Sequence, residues 1–225
     1  MKRPFFALVV FFFFSFGLTL SAFIGPSGAS GVEGKEIFLA RNCTLCHQTE
    51  GPAGEKTIGD VLKKKGPELW YAGSKFRKEF LSTWLKDPAL IRPMEYNSLT
   101  KKNPGKHPAL KGVEAEDVAS YLMELRSREV RPANTGPELV QKGKVVFIKK
   151  QACYGCHQVR EKERLAGGLT GPSLDGAGER LKADWVYSYL SNPKAFKPVR
   201  DMPDYTKYLD DSEMMGLAAY ISGLK

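Results

Sequence analysis

Two pentapeptides, Cys43-Thr44-Leu45-Cys46-His47 and Cys153-Tyr154-Gly155-Cys156-His157, use all four cysteines of this 225-residue chain and two of its three histidines. Two thiols three positions apart on one turn can each add to a vinyl group of a single porphyrin, and the histidine directly after them then lies under the iron. The predicted chemistry is covalent attachment of haem c at two sites. Other readings of paired cysteines fit less well. Two disulfides or a four-cysteine zinc site need no histidine after the second cysteine, and a thioredoxin-like motif belongs in strand-rich surroundings. The flanks here are patterned as helix.

The elements that must carry these motifs occur twice. Gly34 to Asn42 leads into the first motif and Gly143 to Ala152 into the second, each reading as a short helix. Downstream, Gly66-Pro67-Glu68-Leu69 matches Gly171-Pro172-Ser173-Leu174, and a gapless register at a shift of 105 residues carries Ala72-Gly73 onto Ala177-Gly178. The same shift places Phe80 on Trp185, Trp84 on Tyr189, Asp87-Pro88 on Asn192-Pro193 and Pro93 on Pro198. A match of this length argues for duplication.

Each unit closes with an apolar stripe at helical spacing, Val118, Tyr121, Leu122 and Leu125 in the first and Leu217, Tyr220, Ile221 and Leu224 in the second. These stripes are expected to pack on the opening helices, with Gly34 and Gly143 permitting close approach beside Phe38 and Phe147. Arg126 to Pro137, rich in Pro and Gly, breaks the pattern and reads as a connection. The organisation predicted is residues 1–29 as a signal peptide or membrane anchor, a first domain over 33–130, a linker over 131–137 and a second domain over 138–225. Each unit has roughly 90 residues, too few for a large aliphatic core, so the porphyrin is expected to supply much of the apolar centre.

Both halves resemble class I cytochrome c domains, and the whole is similar to a dihaem cytochrome c. The resemblance implies an all-α fold in which each domain wraps around one covalently attached haem c. It also implies that the prolines after the motifs, Pro67 and Pro172, offer their carbonyls to His47 and His157, fixing the imidazoles. The distal ligand in such domains is most often a methionine before a proline, which in the second half matches Met202-Pro203; Met214 and Met215 read as packing residues. The first half departs from this. From Pro93 to Tyr121 there are 28 residues against 22 from Pro198 to Tyr220, and Asn97 stands in register with Met202. His107, followed by Pro108, is the favoured first-half ligand; Met94 and an open site stay as alternatives. Thioether ligation raises a haem potential, so the second haem is expected to be the higher-potential one.

Lys2 and Arg3 precede an uncharged run from Phe5 to Ile24 and a small-residue stretch from Gly25 to Ser30. This has the pattern of an export signal, and the run is also about long enough to span a bilayer. Either reading puts the remainder on the periplasmic or outer side, soluble or tethered. The formal charge is +9, with lysines grouped at Lys63 to Lys65, at Lys101, Lys102 and Lys106, and from Lys142 to Lys150. Such groups suit an acidic redox partner or an anionic lipid surface; nothing else in the chain points to nucleic acid.

With two protein ligands on each iron, neither haem has a position for substrate. The expected function is one-electron transfer between redox partners, as a soluble shuttle or as the cytochrome subunit of a membrane respiratory complex. The rival class is a dihaem enzyme of the peroxidase or sulfur-compound dehydrogenase type. Glu95 and Tyr96 could supply polar groups there, but the chain has no spare cysteine for a thiolate-ligated site.

Overall fold

The structure is a computed structural model that describes residues 31–199 and 202–225; the predicted signal or anchor segment lies outside them. Ten α-helices and one hairpin are formed by the described residues, besides short 3-10 and π segments. The first domain contains α1 (Gly31–Ala40), α2 (Ile58–Leu62), α3 (Ala72–Lys75), α4 (Lys78–Lys86) and α5 (Val113–Glu124). The second contains α6 (Val140–Val145), which runs on as a π-turn over Val146–Lys150, then β1 (Gln158–Glu161) and β2 (Arg164–Gly167). It is completed by α7 (Ala177–Arg180), α8 (Ala183–Ser191), α9 (Pro193–Phe196) and α10 (Asp211–Ile221). The fold is all-α apart from the antiparallel hairpin that follows His157, where Val159 pairs with Ala166.

In each domain the opening helix crosses the closing one at a glycine. A β-carbon on Gly34 would come within 1.9 Å of the Asp117 carbonyl oxygen, and one on Gly143 within 1.8 Å of that of Gly216. No side chain fits either gap, so α1 lies directly against α5 and α6 against α10. Aromatic pairs flank both crossings, Phe38 with Tyr121 at 5.5 Å and Phe147 with Tyr220 at 5.3 Å between ring centres. The predicted stripes face inward, with Val118, Leu122, Leu217 and Ile221 all buried. Met214 is buried in the second core as a packing residue.

The two domains meet across a pseudo-two-fold relation. Phe76 and Leu181 form an antiparallel backbone bridge, flanked by Arg77 N–H donating to the Arg180 carbonyl (3.0 Å) and Lys182 N–H donating to that of Lys75 (2.9 Å). Each member of these pairs is the 105-residue counterpart of a residue on the other side. The side chains follow the same symmetry: Arg77 Nε donates to the Gly178 carbonyl (3.0 Å), and Lys182 Nζ to that of Gly73 (2.7 Å). The symmetry fails at Tyr71, which is wholly buried in the second domain's core, stacked on Trp185 at 6.2 Å and edge-on to Phe196 at 5.2 Å. The connection is also pinned, with Arg131 N–H donating to Ser188 Oγ (2.8 Å) and Ala133 N–H to Asp184 Oδ1 (3.0 Å). The domains thus share a core, into which the first contributes Tyr71 and Phe76.

Candidate haem centres

Both motifs leave their opening helix through a residue in the left-handed region, Asn42 (φ 54°) and Ala152 (φ 46°). Asparagine tolerates that conformation and alanine is strained in it. The kink directs a short 3-10 turn, Cys43–Leu45 and Cys153–Gly155, away from the helix axis. His47 N–H donates to the Cys43 carbonyl (3.0 Å), and His157 N–H to that of Cys153 (3.1 Å), so the histidine follows directly under its two thiols. The four cysteines form no disulfide. Among the described residues no three His, Cys, Asp or Glu side chains converge as a metal-holding group, so the zinc reading lacks a ligand set.

His47 Nδ1 donates to the Pro67 carbonyl at 2.8 Å and His157 Nδ1 to the Pro172 carbonyl at 2.7 Å. A proton on Nδ1 leaves the Nε2 lone pair for a metal. Burial, the largest influence, lowers the pKa of both rings, which keeps them neutral as ligation requires. The glycines before the prolines matter too. A β-carbon on Gly66 would lie 2.8 Å from His47 Cε1, and one on Gly171 2.6 Å from His157 Cε1.

The distal side of the first centre is reshaped by its longer loop. Glu95 N–H donates to the Lys101 carbonyl, Asn103 N–H donates to the Pro93 carbonyl (both 2.9 Å), and Met94 bridges to Lys102. The added residues thus close on themselves, and the chain emerging from this loop brings His107 opposite His47. Their ring centres are 6.0 Å apart and the planes tilt by 47°. His107 Nδ1 donates to the Pro108 carbonyl at 2.9 Å, leaving its Nε2 available as well, and the Trp84 ring packs on it at 4.6 Å. A metal–imidazole nitrogen bond is about 2.0 Å, so two imidazoles on opposite sides of one metal place their centres roughly 6 Å apart. Met94 is buried within the loop, and Asn97 turns its amide to the Leu62 carbonyl (3.2 Å). In the second centre Met202 is half-buried against the second core.

The core around Tyr71 and Trp185 holds buried donors and, packed on it, buried cations. Trp70 Nε1, Tyr71 OH and Trp185 Nε1 are buried with no hydrogen-bond partner, an arrangement that is costly in a finished fold. Nearby, burial first and then the charges of Lys197 and Arg180 pull the Lys75 ammonium down to about 7. Burial likewise takes Arg180 down to about 10. The propionates of a haem have the complementary chemistry, acceptors with negative charge, so the residues present fit the group. Lys75 and Arg180 match at a shift of 105, but residue type alone does not mark a lysine or an arginine as buried. Trp185, the counterpart of Phe80, carries no mark in the sequence that its indole would be buried.

Two tandem helical domains, each presenting a Cys-x-x-Cys-His turn with a carbonyl-anchored histidine, define a covalent haem protein of duplicated architecture. The profile of the cytochrome c family matches residues 31–126 and again 140–225; the chain belongs to that family and carries two covalently bound haem c groups. Cytochrome c oxidase subunit 2 of Bacillus subtilis (strain 168) is 27% identical over 125 residues, which cover 52% of this chain and 34% of that relative. The cbb3-type cytochrome c oxidase subunit CcoP of Azospirillum sp. (strain B510) is 26% identical over 204 residues, 85% of this chain and 61% of the relative. The chain therefore spans only part of the length of both. A chain from a reducing HAO-like protein complex of Kuenenia stuttgartiensis aligns over 84% of this chain and 94% of its own length at 17% identity, but its TM-score of 0.33 carries no argument.

Proposed function

We propose that this haem electron-transfer cytochrome works as a two-centre relay on the outer side of a membrane, passing single electrons within a respiratory chain that ends in an oxidase. His47 and His107 ligate the first iron, and His157 and Met202 the second. When bound, each haem supplies a one-electron iron couple. The chain's own residues attach it and hold the imidazoles through Pro67 and Pro172. The observation that carries this reading is the 6.0 Å separation of His47 and His107: with both imidazoles on the first iron, no coordination position would remain there for a substrate. That is why electron transfer is favoured over peroxidase or sulfur-compound chemistry. The two oxidase subunits among the relatives support the respiratory assignment, and the N-terminal apolar run supports export with or without a tether.

The partner surface follows from charge. Lys102 and Lys106 are exposed on the loop leading to His107, beside Leu99, which is 66% exposed. An acidic redox protein docking there would meet the first centre. The test is electron paramagnetic resonance of the oxidised His107→Ala and Met94→Ala variants. Loss of the low-spin bis-histidine signal in His107→Ala alone is expected; an unchanged signal in that variant removes the ligand assignment.

A further inference from the structure

We propose that each domain tunes the haem of the other through a cation delivered to its proline loop, Lys197 offsetting Glu68 at the first centre and Arg92 acting at the second, and that the Glu68 carboxylate, which the second loop lacks, holds the two potentials apart. Arg92 and Lys197 are counterparts at the 105-residue shift, and each crosses the interface. Arg92 Nη2 donates to the Thr170 carbonyl at 3.0 Å, directly before Gly171-Pro172, and the neighbouring Ile91 carbonyl accepts from Ser173 N–H at 2.9 Å. Lys197 Nζ lies 2.5 Å from Glu68 Oε2, directly after Gly66-Pro67. Both cations therefore act on the segment whose carbonyl anchors an imidazole.

The two loops differ in one residue type that matters. Glu68 is a carboxylate only 3% exposed, held by Lys197, by Lys64 at 2.7 Å and by the Tyr96 hydroxyl at 2.9 Å, whereas its counterpart Ser173 carries no charge. Glu68 is accordingly the charged side chain acting on His47, while Arg92 and Arg180 act on His157. Reduction adds an electron to a centre. A buried negative charge beside it opposes that step and buried positive charges favour it, with little screening by solvent. Lys64 and Lys197 moderate the Glu68 carboxylate at the first centre, and the second centre has no carboxylate in that place, so Glu68 widens the gap already expected from histidine against methionine ligation. The positive charge from Arg92 reaches the second centre only while the domains are docked, so the gap depends on the interface.

This inference rests on His47 and His157 as the proximal ligands, and its test is a redox titration of the holoprotein with the two haems followed separately by their paramagnetic signatures. Glu68→Gln is expected to ease reduction of the first haem by about tenfold, 59 mV for a one-electron couple, leaving the second in place. Lys197→Met is expected to shift the first haem the opposite way, because the carboxylate loses a counter-charge. Arg92→Gln is expected to make the second haem harder to reduce. Shifts of the same sign in Glu68→Gln and Lys197→Met are what mere loosening of the fold would give, and they overturn the proposal; so does an equal shift at both haems. A wrong His107 assignment shows instead in the wild-type signal, with this sign pattern intact.

Discussion

Phe76 and Leu181, one residue position in two copies of a repeat, pair backbone to backbone where the copies meet. Leu181 is 6% exposed, and the flanking hydrogen bonds of Arg77 and Lys182 converge on the same point. An aspartate at this position would bury an unpaired charge. Leu181→Asp is expected to cost roughly 3 kcal/mol or more and to split one cooperative unfolding transition of the holoprotein into two. Calorimetry together with small-angle scattering reads both effects, and a single transition at unchanged dimensions would show that the interface does not couple the domains.

A second consequence concerns acid. Burial alone would push the Glu68 carboxyl up, but Lys197 foremost, then Lys64, override it and hold the group well below the usual carboxylate range. In the unfolded chain the same carboxyl titrates near 4.5. Below that value the unfolded chain takes up a proton that the folded protein refuses, so stability falls with pH there and is full above it. The denaturant midpoint of the ferric holoprotein is expected to drop between about pH 5 and pH 3.5. In Glu68→Gln the curve starts lower, because Lys64 and Lys197 lose their partner, and it is flatter over that window. An equally steep fall in the variant would assign the acid sensitivity elsewhere.

The repeat and both motifs were readable because duplication and thioether chemistry leave marks in residue type and spacing. Contacts between the copies leave none. The 105-residue register lines up Lys75 with Arg180 and Arg92 with Lys197, yet nothing in an alignment shows that such residues cross an interface. Glu68 is harder still, since a glutamate in a proline loop belongs on the surface by default, and only the cations arriving from elsewhere make its burial tolerable. The hairpin Gln158–Gly167 was missed because Val159 offers a single buried position across β1, too short an alternation to register. Candidates for the sixth ligand came from the sequence, but the choice between His107 and Met94 depends on how the loop from Pro93 to Asn103 folds back on itself. That pairing is made by backbone groups, which residue identity does not report.

The Trp84 ring lies 4.6 Å from His107 and is fixed in turn by its indole N–H, which donates to the Ala89 carbonyl at 2.8 Å. Leu110 N–H, donating to the Leu85 carbonyl (2.8 Å), ties the far end of the same segment to α4. His107 is therefore held by packing and by a single contact to its own neighbour Pro108, whereas His47 is held by a carbonyl twenty residues away in the chain. Of the two imidazoles His107 has the weaker attachment, and the Trp84 ring packed on it is its main restraint. Under the proposed ligation of the first iron by His107, that restraint acts on an iron ligand. Groups that orient a metal ligand change metal affinity by 10- to 100-fold when removed. Trp84→Leu is expected to raise carbon monoxide binding at the reduced first haem by about tenfold, because the gas competes with a looser His107. The second haem, with Tyr189 at the corresponding position, is expected to bind as in the wild type. Equal increases at both haems would mark a general loosening of the fold, and no increase at the first would remove Trp84 as the restraint on its ligand.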